Sequence, residues 1–301
     1  MVSASQPQKC MEETTKSWFI SDLHLLARRS SGPALESRIH QAARQAHTFV
    51  LGGDIFDFRW RTQRSFQAAI HESIGWLKRL IENNSACEFY YLLGNHDSSP
   101  EFVEQLQQLA AEMPQLAWHR HLLRIDTTIF LHGDIVDRPF RPGEVHHEVL
   151  DARRLAGEQR SNPSRISHAL YDAVVGVGLH RVAVHVAKRK KVVLQRLMEY
   201  LQAHDLGAAA GIENVFFGHT HRRLVGVPYG GLRFYNPGAA IKGLKFDLLD
   251  AGLVDPRQLT HPGSSRKERT GPDNGKCDKS LPASSLVTPF SPIAETKRKS
   301  L

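Results

Sequence analysis

Five short clusters of acids, amides and imidazoles are spread along the chain: Ser21-Asp22-Leu23-His24, Gly52-Gly53-Asp54-Ile55-Phe56-Asp57, Gly94-Asn95-His96-Asp97, His132-Gly133-Asp134 and Gly218-His219-Thr220-His221. The donor atoms on offer are oxygens and imidazole nitrogens. Thiolates play no part, since the three cysteines (Cys10, Cys87, Cys277) are widely separated and form no CxxC pair. Such donors suit a pair of divalent ions, manganese first, with iron or zinc as alternatives. A carboxylate shared between them, for which Asp54 is the natural candidate, holds two ions roughly 3.5–4 Å apart. That pair clamps a phosphoryl group and lowers the pKa of bound water to about 7. Taken singly, an Asp-x-His or a Gly-Asp-x-x-Asp is satisfied by a side chain capping its own turn. Gly-His-Thr-His is sharper, because two histidines around a small spacer serve little packing purpose. The weight lies in all five occurring together.

Each cluster follows a short apolar run: WFI at 18–20, FVL at 49–51, FYYLL at 89–93, TIFL at 128–131 and VFF at 215–217. Runs of this length, rich in β-branched and aromatic residues, read as buried strands. Helical patterns over Ala34–Ala46, Thr62–Asn83 and Glu101–Glu112 alternate with them, which implies α/β layering with a largely buried sheet. LRIDTTIFLHG, GGLRFYNPG and KFDLL look like hairpins and predict a second sheet. Ligand sites in open α/β sheets lie beyond the carboxyl ends of strands, so distant clusters there can converge. Glycines beside four of the five allow the tight turns this needs.

The 301 residues include 41% hydrophobic and 23% charged ones, an ordinary soluble composition that excludes collagen-like or wholly disordered classes. No run reaches the roughly 18 apolar residues of a membrane span, and residues 1–16 lack an apolar signal core. A cytoplasmic protein is the expectation. The net charge of +8 suggests an anionic partner. Much of that excess falls in residues 255–301, a Pro/Ser/Gly/Lys-rich stretch read as a disordered basic tail, which weakens the case for nucleic acid as partner. The organisation expected is residues 1–16 disordered, 17–254 one domain, and 138–211 a helical insertion or lid within it.

The ordered set D-x-H, G-D-x-x-D, G-N-H-[DE], H, G-H-x-H resembles the calcineurin-like metallophosphoesterase superfamily over residues 17 to 250. The resemblance implies a four-layer fold: two mixed β-sheets packed face to face and flanked by helices. It implies that Asp22, His24 and His221 bind one metal, that Asn95, His132 and His219 bind the other, and that Asp54 bridges them. A hydroxide between the metals would attack phosphorus. His96, oriented by Asp57, would assist the leaving group, as suits an imidazole that titrates near neutrality. A protein Ser/Thr phosphatase would show Asp-Arg-Gly and Gly-Asn-His-Glu where Asp57-Phe58-Arg59 and Gly94-Asn95-His96-Asp97 stand here.

DLHL, GDIFD, HGD and the insertion before GHTHR look like the UDP-2,3-diacylglucosamine pyrophosphatase branch. That branch has Arg in place of His96, and Tyr235-Asn236-Pro237-Gly238 is commoner in general phosphoesterases. The substrate expected is a phosphorylated small molecule or a lipid-linked nucleotide; the alternative is a phosphodiesterase or nuclease. Arg222 and Arg223, just after the last motif, are candidates for substrate phosphates. Val182, Val186, Val193, Leu197 and Leu201 recur at helical spacing with basic residues on other faces. This reads either as a helix packed on the sheet or as an interfacial helix touching a membrane surface. A scaffold that had lost catalysis should lack ligands, and none is missing.

Overall fold

The computed structural model describes residues 16–159 and 189–253. Among these residues, ten strands form two five-stranded sheets. The first contains β1 (Lys16–Ile20), β2 (Ala46–Gly52), β3 (Glu88–Leu92) and β4 (Leu116–His119), all parallel, with β10 (Leu249–Asp250) antiparallel to β1 at the other edge. The second runs in the order β5 (Leu122–Ile125), β6 (Thr128–Leu131), β7 (Asn214–Phe217), β9 (Leu232–Asn236), β8 (Leu224–Tyr229). Within it β6, β7 and β9 are parallel, while β5 and β8 are antiparallel edges.

The strands read as unbroken apolar runs because both faces of each sheet are covered. Successive side chains alternate between faces. In β2, Phe49 and Leu51 join the core beneath α1 (Glu36–Arg44), α2 (Phe66–Glu82) and α3 (Pro100–Glu112), whereas Val50 faces the second sheet. In β7, Val215 and Phe217 face the opposite helical layer, α4 (His146–Gln159) and α5 (Lys190–Ala203), while Phe216 faces the first sheet. Between the sheets Phe19, Phe130 and Phe216 pack with ring centroids 5.4–5.7 Å apart. The result is helix, sheet, sheet, helix, as the resemblance implied.

Local chemistry sets the helix starts. Ser65 accepts a hydrogen bond from the Ala68 amide and starts α2 four residues later than the pattern from Thr62 implied. Ser99 caps α3 through Phe102, with Pro100 in the first turn where its missing N–H costs nothing. KFDLL, expected to belong to the second sheet, does not: only Leu249 of it is in a strand, and β10 returns to the first sheet beside β1. β4 was not anticipated, its four residues being too few to show a period.

The 138–211 stretch joins β6 to β7. A parallel pair requires such a crossover, and its described helices form the outer layer over the second sheet. Val193, Leu197 and Leu201 of α5 are buried there, and Lys190 and Lys191 are exposed. Val182 and Val186, the first part of the expected amphipathic pattern, lie outside the described residues, as do residues 1–15 and 254–301. Four histidines that match no motif, His121, His146, His147 and His204, stack between the β4–β5 link, α4 and the end of α5. Among the described residues no helix is long and apolar enough to cross a membrane.

Candidate metal centre

β1, β2 and β3 in one sheet and β6 and β7 in the other run with their carboxyl ends at the same edge of the sandwich. The five clusters sit in the turns that leave those ends and come together. The Nε2 atoms of His24 and His221 lie 3.0 Å apart. An Asp22 carboxylate oxygen is 3.4 Å from His221 Nε2 and 4.0 Å from His24 Nε2. Beside this group, Asn95 Oδ1 lies 3.1 Å from His132 Nε2 and 2.9 Å from His219 Nδ1. Asp54 Oδ2 is 3.4 Å from His132 Nε2. Two groups of donors, Asp22/His24/His221 and Asp54/His132/His219, each gather within 4.8 Å.

Holding these atoms together distorts the backbone. Asp22, His24, Asp54, His219 and His221 all have positive φ, from 48° to 63°. This region disfavours residues with a Cβ, at a cost of order 1–3 kcal/mol each, and strain of that kind concentrates at functional sites. The close turns also demand glycine: a Cβ on Gly94 would overlap the Asp54 carboxylate and amide, and one on Gly218 would overlap Asp22 and Ser21.

The ring nitrogens that do not face the donor clusters are themselves placed. His132 Nδ1 lies 3.1 Å from the Gly52 carbonyl, and His24 Nδ1 lies 3.3 Å from Asp57 Oδ2. His219 Nε2 is 2.6 Å from Asp137. Partners of this sort fix tautomer and ring orientation in metal-ligating histidines. Asp22 accepts from the Ser21 hydroxyl at 2.5 Å and from the His219 amide at 2.9 Å. The Asp54 Oδ1 accepts from the His96 amide at 2.8 Å.

The electrostatics favour a cation. Burial alone would raise the Asp54 and Asp22 pKa values, yet His132 holds Asp54 well below the usual carboxylate range and His221 lowers Asp22. Burial pushes His24 down to about 4 despite the pull of Asp57, leaving the neutral imidazole that ligates metal. A buried, carboxylate-rich cluster that also offers imidazole nitrogens and an amide oxygen fits divalent metal ions.

Next to it, Asp57 is a fully buried carboxylate with a crowded shell. Its Oδ1 accepts from the Trp60 amide at 2.9 Å and lies 2.8 Å from His96 Nδ1; its Oδ2 accepts from Arg29 at 2.8 Å. Burial would raise its pKa, but His96, His24 and Arg29 keep it well below the ordinary value. Burial would likewise depress His96, and Asp57 and Asp54 outweigh it and raise its pKa. With Nδ1 engaged by Asp57, the other ring nitrogen is left to act.

The calcineurin-like phosphoesterase family model matches residues 15–223, more than half of the chain. The protein belongs to the calcineurin-like phosphoesterase family. As an enzyme it is a metal-dependent phosphoesterase. No curated protein matches. Among solved structures it is similar to a dimetal phosphatase from Danio rerio at 14% identity and a TM-score of 0.41, covering 77% of this chain and 89% of that one.

In this phosphoesterase all seven residues expected to hold metal, with His96 and Asp57, therefore occupy one place. Arg222 and Arg223 follow directly after His221. Arg223 is engaged with Asp247 at 2.5 Å, and no contact of Arg222 with the donor cluster is seen.

Sequence reasoning missed several supporting residues. Arg29 anchors Asp57 across 28 positions. Asp97 accepts from the Tyr91 hydroxyl at 2.6 Å and the Gly94 and Ile55 amides at 2.7 and 2.8 Å, clamping two site turns together. Burial and the nearby Asp54 raise Asp97 to about 6. Asn236 donates to the Gly218 carbonyl at 2.8 Å and so holds the Gly-His-Thr-His turn. Asp134, quoted only as part of a motif, is bound through two oxygens by the buried Arg154 of α4 at 2.8 and 3.0 Å. The available signal was the unexplained acid in Gly-Asn-His-Asp and the Asn in Tyr-Asn-Pro-Gly.

Proposed function

We propose that the protein hydrolyses a phosphoester or pyrophosphate bond at a two-metal centre. Asp22, His24 and His221 would hold one ion and Asn95, His132 and His219 the other, with Asp54 as the ligand they would share. Manganese is the first ion to test. The observation that carries the reading is the convergence of donor atoms from five separate strand ends, three of which leave through strained, positive-φ turns. The bound ions supply neutralisation of the phosphoryl oxygens and a water acidified enough to act as nucleophile near neutral pH.

The chain's own residues supply the rest. Asp57 fixes the His96 tautomer with the proton on Nδ1 when the ring is neutral, and its carboxylate favours the ring that carries a second proton on Nε2. As water oxygen bonds to phosphorus and the bond to the leaving oxygen breaks, His96 gives that proton to the departing oxygen and recovers it from solvent. Arg29 and Trp60 hold Asp57 still while this happens.

The DLHL, GDIFD and HGD turns support a phosphorylated small molecule or a lipid-linked nucleotide, UDP-2,3-diacylglucosamine among them, as substrate. The test is hydrolysis of bis-p-nitrophenyl phosphate and of nucleotide diphosphates by Mn-loaded protein, with metal content measured in parallel. Asp54→Asn is expected to lose bound metal and activity together. If that variant kept two ions and full turnover, the assignment would be wrong.

A further inference from the structure

A cavity of about 350 Å³ opens beside the metal centre, with Asn95 and His96 in its wall. Its remaining lining is chiefly apolar and cationic, with Ser99 and the carboxylate of Glu101 also in the wall. Phe58 and Phe66 stand edge to face with centroids 5.5 Å apart, and Pro100 and Leu155 add apolar surface. Leu155, on α4, is 49% exposed, an apolar side chain facing open space rather than core. Two guanidinium groups join them. Arg61 is fixed by the Phe58 carbonyl at 2.9 Å and stacks over Phe66 at 5.3 Å; Arg59 is exposed.

His96 decides which part of a substrate belongs here. Its Nδ1 is committed to Asp57, so the ring edge that meets the departing oxygen is the one left to the cavity side. A saturated chain would gain from the phenylalanines but would desolvate Arg59 and Arg61 without return. An aromatic ring gains from both, through edge-to-face packing and through guanidinium–π contact.

We infer that this cavity receives the leaving group, and that the group it takes is planar and aromatic, an aryl ring or a nucleobase-bearing moiety. The inference rests on the phosphoesterase reading above and narrows it to a substrate class.

Non-hydrolysable phosphonates separate the two claims. Phenyl-, 2-naphthyl- and n-hexylphosphonate are titrated as competitive inhibitors of bis-p-nitrophenyl phosphate hydrolysis by the Mn-loaded full chain. The second ring of the naphthyl compound should tighten inhibition about tenfold over phenyl, from the extra apolar area buried. Hexyl should bind more weakly than naphthyl. Leu155→Asp and Phe66→Ala should each shrink the naphthyl-to-phenyl ratio below about threefold. Equal inhibition by phenyl and naphthyl, a preference for hexyl, or a ratio indifferent to both substitutions overturns the cavity assignment while leaving the hydrolase intact. Absence of hydrolysis by protein that has bound two ions overturns both.

Discussion

Asp57→Asn tests the arrangement most directly, because one carboxylate serves both stability and chemistry. Four groups converge on it: the Trp60 amide, His96 Nδ1, Arg29 and His24 Nδ1, the last at 3.3 Å. Asparagine keeps the size but offers one oxygen instead of two, and turns an NH2 toward either the His96 or the Arg29 side. The carboxylate facing the buried Arg29 disappears in either orientation. Breaking a buried charge pair by removing one partner costs about 3–5 kcal/mol. At roughly 2–4 °C per kcal/mol for a domain of this size, the expected drop in Tm is about 6–20 °C. Turnover falls as well, since His96 loses the group that sets its tautomer, toward the ~10²–10⁴-fold that a positioned acid contributes.

His96→Ala is the matched control. It leaves Asp57 with Arg29, Trp60 and His24, so it should cost similar activity and much less stability, with metal content retained. The assay is calorimetric Tm on Mn-loaded protein, with kcat in the same buffer and the double variant added. Once His96 is gone, Asp57→Asn should lower kcat little further. An Asp57→Asn protein with unchanged Tm and wild-type kcat would refute the reasoning.

Two further substitutions probe the frame. Gly94→Ala places a methyl against the Asp54 carboxylate and amide; since backbone cannot yield there, metal affinity measured by equilibrium dialysis should fall at least tenfold with the protein still folded. Arg154→Met removes the cation that grips Asp134 and the Arg120 carbonyl, leaving a buried carboxylate next to the His132 turn. Unfolding in urea should show a loss of about 3–5 kcal/mol; a change under 1 kcal/mol would mean that α4 is held by other contacts.

Much of the fold is legible in sequence for a physical reason. β1, β2, β3, β6 and β7 are covered on both faces, so they stand out as apolar runs, and each is followed at once by the polar residues it presents. β4 and β10 were hidden or misplaced because short edge strands carry too few residues to show a pattern. The supporting shell was hidden for another reason. Arg29 with Asp57, Asn236 with Gly218, and Asp137 with His219 are pairings across 18 to 82 positions, and nothing local to either partner announces the other.

The amino-acid order alone thus determined the donor types, the strand ends that bear them and the α/β class, because these follow from short-range composition and periodicity. Which donors meet, which carboxylate is held ionised, and what walls the space beside His96 were decided only by tertiary structure. Burial, local field and cavity shape are properties of residues brought together from distant parts of the chain, and they exist only once the two sheets have packed.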